Sequence, residues 1–391
     1  MKIAHIIPSF LSDWGGLQNC VHHISEFHSQ RGHKVVVFTP DFSKDGFRLS
    51  YSLNKIPSFK FMTKGYPISK YLISIYFLMI QKKYHFDLWQ VNGGFPYGVL
   101  LVDLFKKYKI PCILRCSGYD IQVSEKFQYG VRRDKKIDRM IRNNYHKFNG
   151  LVAITNTVKQ EYLAIGASEN QIKYIPNGID FERIFNYEVN ENVRRIHNIP
   201  ENAKIILTVG RNHPKKGHEM IPGILANILK KNSSVYWILI GGGCSSISGL
   251  NIPGKNRKKL ITIEEIPVDL ANNETPSGSL IDYYKQADVF AMTSRLETFG
   301  VVLIEAMAAG LPVVYFDAPG IKDIMKESCG IKCPLGDENI FTVSLLELLE
   351  NSNRLIQLRK ECIIYAKTYS WKMVCEEYLN LYKKLIKNCN D

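Results

Sequence analysis

The 391 residues carry 51 Lys and Arg against 37 Asp and Glu, a formal charge of +14, and 45% of them are hydrophobic. That length suggests two or three domains, most simply two of about 190 residues, with apolar content ample for ordinary cores. The longest apolar run, Tyr71 to Ile80, is half of a membrane span, and the opening IAHIIPSF is too short for a signal-peptide core and breaks at Pro8. The reading is therefore a cytoplasmic protein, neither integral to a membrane nor exported by an N-terminal signal. Nine cysteines, an odd number, fit a reduced cytosol. The pairs Cys112/Cys116 and Cys329/Cys333 have C-x3-C spacing, but they fall where strands and turns are expected, which argues against zinc. The positive excess implies an anionic partner, whether nucleic acid, lipid headgroups or a phosphorylated substrate, or else a generally basic proteome.

In chain order, Lys2 to Ile7 reads as a strand. A glycine loop at Trp14-Gly15-Gly16 follows, then a helix from Leu17 to Gln30 ending at Gly32 and a strand at 34–39. Further β-α units are expected: strand 87–91, helix 97–108, strand 111–115, helix 134–147, strand 150–154, helix 156–165 and strand 172–175. Pro-Asn-Gly at 176–178 is turn chemistry, and the alternation restarts at Lys204. The second half reads strand 204–209, helix 217–230, strands 235–240 and 260–264, helix 279–286, strand 288–292, helix 300–309, strand 312–316, then helices to the end. The segments 251–260 and 267–278 look like surface loops. This is an α/β chain of two doubly wound, Rossmann-like halves with parallel sheets.

The stretch SRLETFGVVLIEAMAAGLPVV, Ser294 to Val314, places two carboxylates, Glu297 and Glu305, around a helix N-terminus at Gly300. The first N–H groups of a helix attract an anion, and glycine lets a ligand approach the backbone. A carboxylate is repelled by phosphate but accepts strongly from hydroxyls. One acid suits a ribose diol and the other a sugar, together a nucleotide-sugar; the plainer alternative is a capping acid and a solvated helix residue. Cations for a diphosphate stand at another turn, in TVGRNHPKKG: Arg211 with a planar fork and Lys216 with a point charge, at the mouth of the sheet where open α/β folds bind ligands.

These residues resemble retaining glycosyltransferases of the GT4 type, and the resemblance covers nearly the whole chain. The E-x7-E pattern running into EAMAAGLPVV is similar to their donor site. GGLQNCVHHISEFHSQRGHKVVVFT is similar to the family's opening loop, helix and strand, and YIPNGIDFERI to its interdomain turn. TVGRNHPKKG, YKQADVFAMTSRLETFG and YSWKMVCEEYLNLYKK also match, in family order. The resemblance implies GT-B architecture, two Rossmann-like domains facing a central cleft: an acceptor-binding domain at 1–185, a nucleotide-sugar-binding domain at 186–368, and a last helix at 369–391 crossing back to the first.

It also implies roles. Gly15 and Gly16 would let the first loop approach the donor phosphate and acceptor. Arg211 and Lys216 would neutralise the diphosphate and the charge developing on the leaving group. Glu297 would bind the transferred sugar, Glu305 the ribose, and the N–H groups of Phe299, Gly300 and Val301 would complete a phosphate cradle. The implied reaction is retaining hexosyl transfer to an acceptor hydroxyl, by same-face attack in which the leaving phosphate takes the acceptor's proton. The chain contains no D-x-D, the triad that holds a divalent cation in the other main transferase fold. No metal and no resident cofactor are expected, and Arg211 and Lys216 would do the metal's electrostatic work.

In ILRCSGYDIQ this chain departs from the family's pattern. Ser117 stands before Gly118 where the family often has His, beside the donor sugar; serine is smaller and carries no proton charge near neutral pH. Of His22 and His23, one turn into the first helix, at least one is expected to pack.

The segment Gln122 to Lys147 has eight Lys and Arg against three acids. With the aromatic segment 59–84 it is expected to form a basic, apolar surface for an anionic bilayer, unless it is a solvated helix face. The favoured acceptor is a lipid-linked or cell-envelope glycan precursor, on charge and family grounds. Three other readings compete. IGGGC at 240–244 follows a strand but lacks dinucleotide-binding spacing and a ribose acid, which argues against a dehydrogenase. No nucleic-acid-binding module is present. A nucleotide-sugar epimerase or a non-catalytic sugar-nucleotide binder of the same fold remains as the alternative.

Overall fold

The computed structural model describes residues 1–10, 15–42, 49–58, 66–247, 252, 254–266 and 275–390. Trp14, the start of the 59–84 segment and most of the 267–278 loop lie outside them. The chain forms two compact units, the first built from Met1–Gly178 with Trp371–Asp391, the second from Ile179–Ser370.

The first unit runs β1 (Lys2–Ile6), α1 (Gly16–Gln30), β2 (Lys34–Thr39), β3 (Ser52–Lys55), α2 (Tyr66–Tyr84), β4 (Leu88–Asn92), α3 (Tyr97–Lys107), β5 (Cys112–Arg115), α4 (Lys135–Arg142), β6 (Gly150–Ala153), α5 (Asn156–Ala164) and β7 (Ile172–Tyr174). Its seven strands are all parallel, in the order β3-β2-β1-β4-β5-β6-β7. The second unit runs α6 (Phe181–Asn186), α7 (Val193–Ile196), β8 (Lys204–Val209), α8 (Ile221–Lys231), β9 (Val235–Ile240), β10 (Leu260–Ile263), α9 (Gly278–Gln286), β11 (Val289–Met292), α10 (Val301–Ala308), β12 (Val313–Phe316), β13 (Gly330–Cys333), α11 (Glu338–Glu350) and α12 (Ser352–Lys367). Its six strands are also parallel, ordered β10-β9-β8-β11-β12-β13. α13 (Trp371–Asn390) then returns to the first unit.

Both sheets are covered on two faces, so their strands read as near-continuous apolar runs; β4, β5, β6, β11 and β12 are buried at every position. In the first unit α1 and α13 share one core, in which Val21 and Ile24 meet Val374, Tyr378 and Tyr382. On another side of the sheet Trp89 of β4 is fully buried; Phe77 of α2 packs edge-on against it with ring centroids 5.4 Å apart, and Phe105 of α3 lies at 5.7 Å. In the second unit α8 and α11 close over Trp237 and Phe316, with Phe341 of α11 packed on Phe316 at a ring-centroid distance of 4.6 Å. Each such large side chain contributes about 1.5–3 kcal/mol on burial.

Several expectations are corrected. The chain leaves the first unit at Gly178, ahead of the expected 185/186 cut, because α6 packs with α10 in the second unit. The helix expected from 217 begins at Ile221, after two short 3-10 turns and with Pro222 in its first turn. The final stretch is not helical throughout, since β13 pairs with β12. The expected helix 134–147 is α4 alone, flanked by 3-10 turns. No helix among the described residues is long and apolar enough to cross a membrane.

Candidate functional site

In the second unit the strand order reverses between β8 and β11, and ligands in open α/β sheets bind beyond the carboxyl ends of the strands at such a point. The turn after β8 holds Gly210, Arg211 and Lys216, and the loop after β11 runs from Thr293 to Gly300. Hydrogen bonds to backbone carbonyls sew these two segments together. The Thr293 hydroxyl donates to the Lys216 carbonyl at 2.9 Å, and the Arg295 N–H donates to the Lys215 carbonyl at 2.7 Å. Gly217 makes this approach possible: its φ is +66°, and a Cβ there would collide with the Thr293 carbonyl.

Lys216 Nζ forms an ion pair with Glu297 Oε1, and the Ser294 hydroxyl donates to the same oxygen at 3.0 Å. The Glu297 side chain is 7% exposed and that of Lys216 17%. Burial pushes the Glu297 carboxyl up, but the Lys216 and Lys215 cations and the hydrogen bonds from Lys216 and Ser294 outweigh it, leaving it below its ordinary value. Lys215 is held below its usual value by burial and by Lys216 and Arg211, against the pull of Glu297. His218 is pushed down to about 4 by burial and the charge of Lys216. Arg211 is exposed.

The loop enters α10 through Gly300, whose φ of +81° is the left-handed conformation that glycine adopts without steric cost. Phe299 is buried, whereas Gly300 and Val301 are half-buried. Glu305, in the second turn of α10, is buried and accepts from the Tyr284 hydroxyl at 3.0 Å. Burial raises its carboxyl to about 7, with the Tyr284 hydrogen bond and the Arg183 charge partly offsetting the rise. A capping acid and a solvated helix residue do not describe this pair. One acid is locked to a lysine from another turn, and the other is a buried carboxyl whose pKa is raised to about 7.

Gly15, Gly16 and Ser117 belong to the first unit. Gly15 caps the N-terminus of α1, and both glycines are exposed. Ser117 follows β5 in a loop braced by Asp120. Asp120 Oδ1 accepts from the N–H groups of Ser117 and Gly118, both at 2.9 Å, and its Oδ2 accepts from Gly94 N–H at 2.7 Å. His22 and His23 both pack: His22 shares a hydrogen bond with the Tyr51 hydroxyl at 3.0 Å, and His23 stacks on Trp371 with centroids 4.6 Å apart.

Sequence reasoning missed Tyr284, Ser294 and Asp120 as supports of the candidate residues. Tyr284 lies in YKQADVFAMTSRLETFG and Asp120 in ILRCSGYDIQ, but nothing in the local pattern marks a hydroxyl or carboxylate as aimed at a particular residue.

The glycines of IGGGC also have a defined environment. Glu264 accepts from Gly243 N–H at 2.6 Å and from Ser245 N–H at 2.8 Å, so backbone donors that a dinucleotide would need are already engaged.

In the segment 122–147 part of the positive charge is paired within the chain. Arg132 is buried; its Nε donates to Asp138 at 2.6 Å, and its Nη1 to Glu161 and to the Ile121 carbonyl at 2.7 Å. Arg133 pairs with Glu125 at 3.3 Å, Arg142 with Asp138 at 2.7 Å and Lys147 with Asp103 at 2.9 Å. Half of the eight cations thus form ion pairs with acids of the same chain, Arg132 in the interior and Arg133 and Arg142 nearer the surface.

Comparison with known proteins supplies the family. The model for Glycosyltransferase Family 4 matches residues 14–183, and that for Glycosyl transferases group 1 matches residues 189–369. A D-inositol 3-phosphate glycosyltransferase of Corynebacterium urealyticum is 29% identical over 226 residues, 55% of this chain and 51% of that protein, so the match spans about half the relative's length. An alpha-monoglucosyldiacylglycerol synthase of Streptococcus pneumoniae is 23% identical over 336 residues, covering 84% of this chain and 74% of that protein. The Anabaena protein HepE, solved in complex with UDP-glucose, superposes with a TM-score of 0.73 at 16% identity, over 98% of this chain and 100% of that one. The chain belongs to the group 1, family 4 glycosyltransferases, and its two Rossmann-like units are those of the GT-B fold.

Proposed function

We propose that this chain is a retaining, metal-independent hexosyltransferase that moves a sugar from a nucleoside-diphosphate sugar to an acceptor hydroxyl. The acceptor class is a lipid-linked or cell-envelope glycan precursor, met at an anionic membrane surface. The observation that carries the reading is the pairing of Lys216 with Glu297 beside the N-terminus of α10, with the buried carboxyl of Glu305 a turn further on. UDP-glucose in HepE supports the donor class, and the diacylglycerol-linked name of the streptococcal relative supports the acceptor class.

In this reading Lys216, with three N–H donors, gives one to Glu297 and keeps the others for the diphosphate. Arg211, exposed at the same turn, adds a second positive charge. Glu297 accepts from hydroxyls of the transferred sugar, and Glu305 accepts from the ribose. The bond from the anomeric carbon to the phosphate oxygen breaks, its electrons staying on the phosphate. The acceptor oxygen bonds to the same face of that carbon, and its proton passes to the departing phosphate. Fixed cations at the leaving group stabilise the charge that develops there. Gly15 and Gly16 are assigned to the approach of the first loop to the donor phosphate and acceptor, Ser117 to the donor sugar, and the N–H groups of Phe299, Gly300 and Val301 to the phosphate cradle.

The test is calorimetric titration with uridine, guanosine and adenosine diphosphates and their hexose conjugates. Product formation from the tightest donor is then followed by NMR of the anomeric proton, with and without EDTA. Transfer with retention that survives EDTA is the expected result. Inversion, or loss of turnover in EDTA restored by Mg²⁺ or Mn²⁺, overturns the mechanism. Interconversion of the sugar without an acceptor supports the epimerase, and tight binding without turnover the non-catalytic binder.

A further inference from the structure

Helix α2 breaks the usual amphipathic rule. Its inner stripe, Ile73 and Phe77, is buried, and Phe77 packs on Trp89. The opposite side of such a helix is normally polar. Here it carries Tyr71, Leu72, Ile75 and Met79, which are 68%, 55%, 40% and 58% exposed. At ~100° per residue these four fall within an arc of about 100°, and Lys82 and Lys83 continue that arc one turn later. Both lysines are exposed.

The patch extends across a groove of about 360 Å³ between α2 and α3, lined by Ile75, Leu78, Leu104 and Tyr108 among others. Tyr108 is itself 45% exposed. Lys106, Lys107 and Lys109, all exposed, stand around it. From 66 to 109 the only acids are Asp87 and Asp103. Asp103 is paired with Lys70 and Lys147, and Asp87 accepts from the backbone N–H of Lys2 at 2.7 Å. Around this apolar face, cations therefore outnumber carboxylates, and both carboxylates are already engaged.

We propose that the outer face of α2, with Tyr108 and the lysines at 82, 83, 106, 107 and 109, docks this chain on an anionic lipid bilayer. The chemistry selects that occupant. Aliphatic side chains flanked by tyrosines suit the boundary between acyl chains and headgroups. Lysines at the edge of an apolar stripe lay their stems on it and hold their charge at the phosphates. The purpose of the docking rests on the lipid-linked acceptor proposed above, whereas the docking itself is measured without donor or acceptor. It replaces 122–147 as the membrane surface.

The full-length chain is floated with vesicles of phosphatidylcholine alone and of phosphatidylcholine with phosphatidylglycerol. Binding to the anionic vesicles only, weakened by salt, is expected. Lys82→Gln with Lys83→Gln is expected to reduce it about thirtyfold, and Tyr71→Ser, Ile75→Ser and Met79→Ser together to abolish it. Both variants are expected to keep parental melting temperatures, since every altered side chain is exposed. A control with Lys135→Gln, Lys136→Gln and Arg139→Gln is expected to bind like the parent. Equal binding to both vesicle types, binding to neither, or a loss in the control matching that of the α2 variants overturns the proposal. So does a parental dimer, seen by light scattering, that the triple serine variant converts to monomer, because the face would then belong to a second copy.

Discussion

The hydroxyl of Tyr284 donates to Glu305 Oε2 at 3.0 Å within the second unit, where both side chains are buried. The two residues are joined by nothing local: Tyr284 lies in the last turn of α9 and Glu305 in the middle of α10. The hydrogen bond favours the charged form of the carboxyl, and burial opposes it. A carboxyl near neutrality is thereby held in a fixed orientation.

The first prediction follows from that balance. The folded chain keeps a proton on Glu305 that the unfolded chain would release. The stability contributed by this group is therefore full below the ordinary carboxylate range and is lost as pH rises to about 7. Nucleoside diphosphate binding, which needs the charged acceptor, is expected to strengthen as pH rises through the same value. Glu305→Gln is expected to remove the Glu305 contribution from both profiles. Tyr284→Phe is expected to move the binding midpoint upward, because it removes an interaction that lowers the pKa. Calorimetric titrations across pH check this; unchanged midpoints in both variants would refute the ribose assignment.

A second prediction concerns the Lys216–Glu297 pair. Lys216→Ala leaves Glu297 buried with its main cation gone and is expected to cost about 3 kcal/mol in chemical denaturation. It is also expected to weaken diphosphate binding by about 1.5–3 kcal/mol. Glu297→Gln keeps an acceptor for Ser294 and Lys216, so its stability cost is expected near 1 kcal/mol, with the sugar-bearing donor losing more affinity than the diphosphate. A double-mutant cycle is expected to give a coupling above roughly 0.5 kcal/mol. Additive effects would show that the pair does not act as a unit.

Glycines separate by environment. Gly15→Ala is expected to change stability by no more than about 0.5 kcal/mol, since the backbone is extended there and the nearest neighbour is the Gln18 side chain. Gly300→Ala is expected to cost about 1–2 kcal/mol for its left-handed conformation. Gly217→Ala is expected to cost more than either, because the Thr293 carbonyl must also move. Melting curves of the three variants test the ranking.

Arg132 gives the fourth. Arg132→Gln removes a buried guanidinium from Asp138 and Glu161 and is expected to destabilise the first unit by about 3 kcal/mol. Vesicle binding by the fraction that remains folded is expected to stay at the parental level. A variant as stable as the parent would show that these contacts contribute little.

What the sequence made legible was contiguous. The E-x7-E motif, the Gly210-Arg211 turn and the long apolar strands are written within single stretches, so the alternation of strand and helix and the candidate acids were readable at once. What it hid was separated along the chain or locally ambiguous. Lys216 and Glu297 are 81 residues apart, and no local pattern says that they touch. Arg132 looked like one more charge in a basic run, while one of its acids stands 29 residues away. The polar strand β3 and the four-residue strand β13 lie at sheet edges, where partial exposure erases the apolar signature. Helix α2 was half visible: its run was apolar enough to notice, but only the packing of Phe77 shows which side is left uncovered.

The return of α13 to the first unit sets an order for biosynthesis. The core that begins with Ile3 and Ile7 is completed only by Val374, Cys375, Tyr378 and Tyr382. As the chain leaves the ribosome, the whole second unit is synthesised before those side chains appear. The part made first is therefore the part finished last, against the usual N-terminal-first sequence of domain folding. Until then the groove awaiting α13 stays open on the nascent chain, and a ribosome stalled anywhere short of the final helix would hold a chain with that apolar surface uncovered.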